Sequence, residues 1–79
     1  MNTEELGQRI AAIRKQKGIT QEELAAKASI NVRTIQRIEK GEVDPRSYTV
    51  NLIAEALDIS MDELVPKEDS GESRLWVLL

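Results

Sequence analysis

The chain has 79 residues, which is enough for one domain with a modest core but not for two. It contains no cysteine and no histidine, which excludes disulfide bonds, thiolate chemistry and the commonest zinc ligands, so we expect neither a metal nor a cofactor. The net charge is −3, but residues 1–46 hold nine Lys and Arg against seven Asp and Glu, and residues 47–79 hold two against seven. The first half could therefore face a phosphate backbone, unless the asymmetry is ordinary scatter of solvated charge.

The N-terminal residues predict a first helix. The first ten residues carry carboxylates and no apolar segment, so they do not form a signal peptide, and we expect a cytoplasmic protein. Leu6, Ile10 and Ile13 recur at helical spacing, which predicts a helix from about Thr3 to Lys17. Gly18 follows a cationic run and is expected to end this helix.

Two short helices are predicted next. Thr20 and Glu23 have the spacing of a capping box, which predicts a second helix that ends near Ala28. Asn31 is a strong candidate cap for a third helix over Val32–Lys40. Only three residues separate these helices, which favours a sharp crossing rather than a relaxed antiparallel hairpin.

The second half of the chain predicts two further helices. Pro45 indicates a loop before a fourth helix, which should run from about Ser47 to Asp58. A second capping box, Ser60-x-x-Glu63, opens a final turn that should bury Met61 or Leu64. With five predicted helices and no strand pattern, the expected fold class is all-α.

The last residues differ in character from the rest. Residues 66–73 are polar and predict a flexible acidic linker, and residues 75–79, LWVLL, form an apolar tail. Five residues are too few to span a bilayer, which needs roughly 20. The tail could be a dimer contact, a helix docked on the domain, a disordered end, or the start of a longer apolar segment that would attach the protein to a membrane.

The third helix has a cationic face. Ile35 and Ile38 should point inward, which leaves Arg33 and Arg37, four residues apart, together on the outward face. Each arginine could donate two hydrogen bonds to O6 and N7 of a guanine, and Val32 could contact a thymine methyl group. Most exposed charged pairs at this spacing simply face solvent, so the pair alone does not decide the matter.

Three motifs surround this face: TQEELA at 20–25, TIQRIEKG at 34–41 and IAEAL at 53–57. At these spacings the sequence resembles the Cro/C1-type (lambda-repressor-like, XRE) helix-turn-helix family, and the resemblance extends from about Leu6 to Leu64. It implies a compact five-helix lambda-repressor-like DNA-binding domain over residues 1–65, as in regulators of prokaryotes and phages.

The resemblance also implies roles for single residues. Val32, Arg33 and Arg37 match positions that read bases. Contacts to the DNA backbone, or support for them, are implied for a second group: Gln21, Thr34, Gln36, Lys40 and Arg46. Arg14 and Glu39 match a largely buried structural ion pair that ties the first helix to the end of the third.

Two departures from the family pattern stand out. Ser29 occupies a turn position where the family usually has glycine, and a non-glycine residue in a left-handed turn costs up to about 1–2 kcal/mol. The recognition helix also lacks the glutamine run of some phage repressors, so their operators do not transfer to this chain.

We therefore expect a sequence-specific transcriptional regulator that binds double-stranded DNA as a homodimer, with one recognition helix per half of a pseudo-palindromic site. The alternatives are a protein-interaction module that keeps the fold, and the DNA-binding head of a longer regulator, which could be tethered to a membrane. Without histidine or cysteine, an enzyme would have to rely on carboxylates that sit mostly at helix caps or solvent faces, so enzyme activity is not expected.

Overall fold

The computed structural model describes residues 2–65, and within this range it contains five α-helices and no strand. Their bounds are Thr3–Gln16 (α1), Gln21–Ala28 (α2), Val32–Lys40 (α3), Ser47–Leu57 (α4) and Met61–Leu64 (α5). The predicted all-α fold is confirmed. The predicted linker and apolar tail lie outside the described residues. None of the helices at 2–65 combines the length and the apolar character that a membrane crossing needs.

Side chains start the helices where the sequence indicates. The capping box before α2 is present, with the Glu23 backbone N–H donating to Thr20 Oγ1 at 3.0 Å and the Thr20 N–H donating to Glu23 Oε1 at 2.8 Å. Asn31 Oδ1 accepts from the Arg33 N–H at 2.8 Å. A further capping box joins Asn2 and Glu5 at the start of α1, which sequence reasoning missed. Each box satisfies backbone donors that would otherwise lack partners.

Within residues 2–65, four residues with positive φ end helices or follow their ends. Gly18 and Gly41 have φ of 72° and 79°, as expected for glycines after α1 and α3. Ser29 and Asp58 have φ of 59° and 62°, an uncommon conformation for residues that carry a Cβ. Because Asp58 is left-handed, α4 ends at Leu57, one residue before the predicted end. α1 ends at Gln16, also one residue before its predicted end, and Lys17 after it is still right-handed.

The core is aliphatic and draws on all five helices. Its buried members are Leu6 and Ile10 of α1, Leu24 and Ala25 of α2, Ile35 and Ile38 of α3, Val50, Ile53, Ala54 and Leu57 of α4, and Leu64 of α5. In the last turn Leu64 is buried and Met61 is half-buried, which settles the predicted alternative. The core thus fixes the inward side of α3 and leaves its opposite side exposed.

Candidate nucleic-acid interface

The turn between α2 and α3 sets the direction in which α3 leaves the core. The Ser29 N–H donates to the Ala26 carbonyl at 3.3 Å, and the Ile30 N–H donates to the Ala25 carbonyl at 2.9 Å. These two bonds close α2 in the manner of a Schellman motif, which requires a left-handed residue at Ser29. Asn31 then caps α3 directly, so three residues are enough to end one helix and begin the next.

The two sides of α3 have opposite character. Ile35 and Ile38 are almost completely inaccessible to solvent, and they pack in the core. Arg33, Arg37 and Lys40 are exposed and follow one another at spacings of four and three, which places them on one line along the helix. We call this line the cationic stripe. Within residues 2–65, none of the three charged side-chain groups makes a hydrogen bond, although the backbone N–H of Arg33 donates to the Asn31 cap.

The remaining predicted contact residues of α3 lie on the edges of the cationic stripe. Val32, Thr34 and Gln36 are half-buried. Val32 also packs against the core cluster, so only part of its side chain can reach a base. The arginines therefore offer the largest free polar groups on this helix.

We call the side of α3 that faces the rest of the domain its rear, and the side with the cationic stripe its front. A buried ion pair holds the rear of α3. Arg14 Nε donates to Glu39 Oε2 at 2.7 Å and Nη2 donates to Oε1 at 3.1 Å, and the two side chains are 10% and 6% exposed. Arg14 Nη1 also donates to the Ile19 carbonyl at 2.9 Å, which ties in the α1–α2 loop. The hydrogen bond that Arg14 donates to Glu39 raises the pKa of Arg14 above its ordinary value, against the opposing effect of burial, so the guanidinium stays charged. Nothing in the sequence identified the Ile19 carbonyl as a partner.

Gln21 extends this network to the first residue of α2. Its side-chain amide donates to Glu39 Oε1 at 2.9 Å. A glutamine amide has two N–H donors, so one remains for another acceptor. Gln21 is half-buried, so its side chain contacts Glu39 near the end of α3 and is still partly accessible to solvent. The arrangement connects the start of α2 to the rear of α3 through one carboxylate.

The loop after α3 carries charges of both signs. Lys40 and Arg46 at its ends are exposed, and so are the carboxylates Glu42 and Asp44 between them. Arg46 immediately precedes α4, whose first turn has no acidic residue. Tyr48 in that turn is 73% exposed, a feature that the sequence pattern did not single out. Lys40 is thus the last member of the cationic stripe, and Arg46 is a second exposed cation at the start of α4.

A sequence model of the helix-turn-helix family matches residues 10–64 of this chain, which covers every element just described except the first turns of α1. The chain is 43% identical over 68 residues to YazB, an uncharacterized HTH-type transcriptional regulator of Bacillus subtilis, and the match covers 86% of this chain and 99% of that protein. It is 38% identical over 63 residues to the immunity repressor protein of Bacillus phage phi105, covering 80% of this chain and 44% of the repressor.

Solved structures give the same result. The restriction-modification controller protein C.AhdI from Aeromonas hydrophila superimposes with a TM-score of 0.77 at 31% identity, covering 78% of this chain and 94% of that one. The clp gene regulator ClgR from Corynebacterium glutamicum superimposes with a TM-score of 0.78 at 25% identity, covering 95% and 79%. Each of these neighbours is described as a controller or regulator, so the likeness extends to regulatory proteins and not only to a helical shape.

Proposed function

The chain belongs to the Cro/C1-type helix-turn-helix family of DNA-binding transcriptional regulators, which are not enzymes, and we propose that it binds a pseudo-palindromic DNA site as a homodimer. In this proposal α3 of each protomer enters the major groove of one half-site. The two half-sites are about one helical turn, roughly 34 Å, apart along the DNA.

The observation that carries the proposal is the cationic stripe. Arg33 and Arg37 are exposed on a helix whose opposite side is fully buried, so both side chains face solvent and take no part in the core. An arginine can donate two parallel hydrogen bonds to O6 and N7 of guanine, which is the commonest specific contact in the major groove. Val32 has no polar group, and its exposed part suits a thymine methyl group. These three side chains are therefore assigned to base reading.

The geometry around the cationic stripe supports the proposed contacts to the DNA backbone. The free N–H of the Gln21 amide suits a phosphate oxygen, because the other N–H is already bonded to Glu39. Lys40 and Arg46 are exposed cations at the far end of α3 and before α4, and we assign both to phosphates on the other side of the groove. Thr34 and Gln36, on the edges of the cationic stripe, support these contacts.

The proposal of a dimer rests on the small number of base-reading side chains. Each good bidentate contact is worth about 1–3 kcal/mol, so one protomer with two arginines distinguishes only a few base pairs. Specific binding usually exceeds non-specific binding by about 10³- to 10⁷-fold. Two protomers on two half-sites double the number of readers, which brings the discrimination into that range.

The test begins with selection of sites from random duplex DNA by the wild-type protein, followed by anisotropy titrations. We expect a selected site with two-fold symmetry and two chains per duplex. Arg33→Ala and Arg37→Ala should each weaken specific binding by about 1–3 kcal/mol. Arg9→Gln is the matched control, since Arg9 is an exposed cation that donates to the Glu63 carbonyl at 2.6 Å, away from α3.

Each part of the proposal has its own contrary result. If both arginine variants bind like the wild type, the assignment of base reading is wrong. If one chain binds per duplex, the dimer is wrong. If the wild type binds no duplex even at low salt, the alternative of a protein-interaction module replaces the whole proposal. A cytoplasmic location and membrane tethering through residues 75–79 stay predictions of the sequence.

A further inference from the structure

Gly7 lies where α1 crosses the last turn of α3. It is buried, and a Cβ at this position would clash with the carbonyl oxygen of Ile38 and lie 2.9 Å from that of Glu39. Both obstacles are backbone atoms, which cannot rotate away as a flexible side chain can. Only glycine lets the two helices approach this closely without displacing one of them.

Two further contacts join α1 to the same turn of α3. A Cβ on Gly41, which follows α3, would lie 2.9 Å from Glu4 Cγ, so the first turn of α1 abuts the end of α3. Near the other end of α1, Arg14 binds Glu39. The end of α3 thus contacts α1 at three positions along α1. The closest approach of the two helices is at Gly7.

We propose that Gly7 is a positioning residue that sets how far the recognition helix projects from the domain. An added methyl group would push the last turn of α3 by roughly 1 Å to restore an ordinary contact distance. Because α3 has only nine residues and is rigid at this length, Arg33 near its start moves with it. A bidentate hydrogen bond tolerates only a few tenths of an ångström, so a displacement of this size disrupts base contacts more than contacts to flexible phosphates.

This inference rests on the proposed function, and its test separates the two. Gly7→Ala and the wild type are titrated with the duplex selected by the wild type and with the same duplex in scrambled base order. We expect the ratio of specific to non-specific affinity to fall about tenfold or more in Gly7→Ala, with little change in non-specific affinity. A purely structural role would lower the folded fraction and reduce both affinities together.

Gly18→Ala is the matched control. Gly18 has φ of +72°, unlike the helical Gly7, and nothing lies within 4 Å of the position of its Cβ, so alanine there strains only the backbone. This variant should lose stability in urea and keep the wild-type affinity ratio. Gly7→Ala is also made together with Asp58→Gly, so that any stability lost at Gly7 is offset elsewhere. Asp58→Gly relieves the left-handed backbone at Asp58, which is remote in sequence from α1 and α3.

The outcomes divide as follows. An unchanged affinity ratio in folded Gly7→Ala overturns the inference. So does a Gly7→Ala protein that stays unfolded in the Asp58→Gly background, because the methyl group would then be incompatible with the fold rather than with the position of α3. A wild type that selects no duplex refutes the proposed function instead.

Discussion

Arg14 and Arg33 have the same side chain and lie in opposite regions of the molecule. Arg14 is buried at the rear of α3 and makes three hydrogen bonds, two of them to Glu39. Arg33 is exposed on the front of the same helix, and in the part of the chain that the structure describes its guanidinium makes no hydrogen bond, while its backbone N–H donates to Asn31. The first guanidinium has its polar partners within the protein, whereas the second keeps its donors for a partner outside it.

The contrast shows how a nine-residue helix can be both fixed and available. A helix this short is marginal by itself, so tertiary contacts must hold it. Ile35 and Ile38 supply the apolar part of that hold, and Glu39 supplies the polar part. With all of these on one side, the opposite side needs no contact with the rest of the domain. Mutations at the rear should therefore change the free energy of unfolding, and mutations at the front should change DNA affinity.

The largest expected effect is at Glu39. Glu39→Ala leaves the buried guanidinium of Arg14 without its carboxylate and removes the acceptor of the Gln21 amide. Breaking a buried pair from one side costs about 3–5 kcal/mol, which urea unfolding followed by circular dichroism would measure. A loss below about 1 kcal/mol, typical of exposed pairs, would mean that the rear of α3 does not depend on this network.

A double variant sharpens that result. Replacing both partners, as in Arg14→Met with Glu39→Leu, leaves no uncompensated charge and should recover much of the stability lost in Glu39→Ala. If the double variant is stable yet binds the selected duplex poorly, the network positions α3 and Gln21 in addition to stabilising the fold.

A smaller effect, with the opposite sign, is expected at the turn between α2 and α3. Ser29 has φ of 59°, which costs a residue with a Cβ about 1–2 kcal/mol, partly offset by the greater freedom of glycine in the unfolded chain. Ser29→Gly should therefore stabilise the protein by about 0.5–1 kcal/mol in urea unfolding. Asp58→Gly, at φ of 62°, is the comparison, and it should give a similar gain. Destabilisation at Ser29 alone would show that its side chain makes a contribution that outweighs the strain.

The sequence predicts the local features of this structure better than the contacts between residues that are distant in the chain. The starts of α2 and α3 follow from Thr20 and Asn31, because a cap is a local interaction between neighbours in the chain. The left-handed turn at Ser29 follows from the family pattern. The crossing of Gly7 over α3 does not, because it joins residues about 30 positions apart and depends on where backbone oxygens lie in space. The residues that face outward were predicted from helical spacing, but spacing does not show that Val32 also packs on the core.

The smallest expected effect concerns the cations beside the loop. Lys40→Ala and Arg46→Ala should each reduce the slope of log K against log salt concentration by about one unit, with the same change on the selected and the scrambled duplex. Both side chains are exposed, so the free energy of unfolding should stay within about 0.5 kcal/mol of the wild type. Arg9→Gln removes an equal charge away from α3 and should leave the slope unchanged. If affinity were lost on the selected duplex alone, Lys40 and Arg46 would be base readers instead. The base-reading surface would then extend from α3 to the loop that follows it.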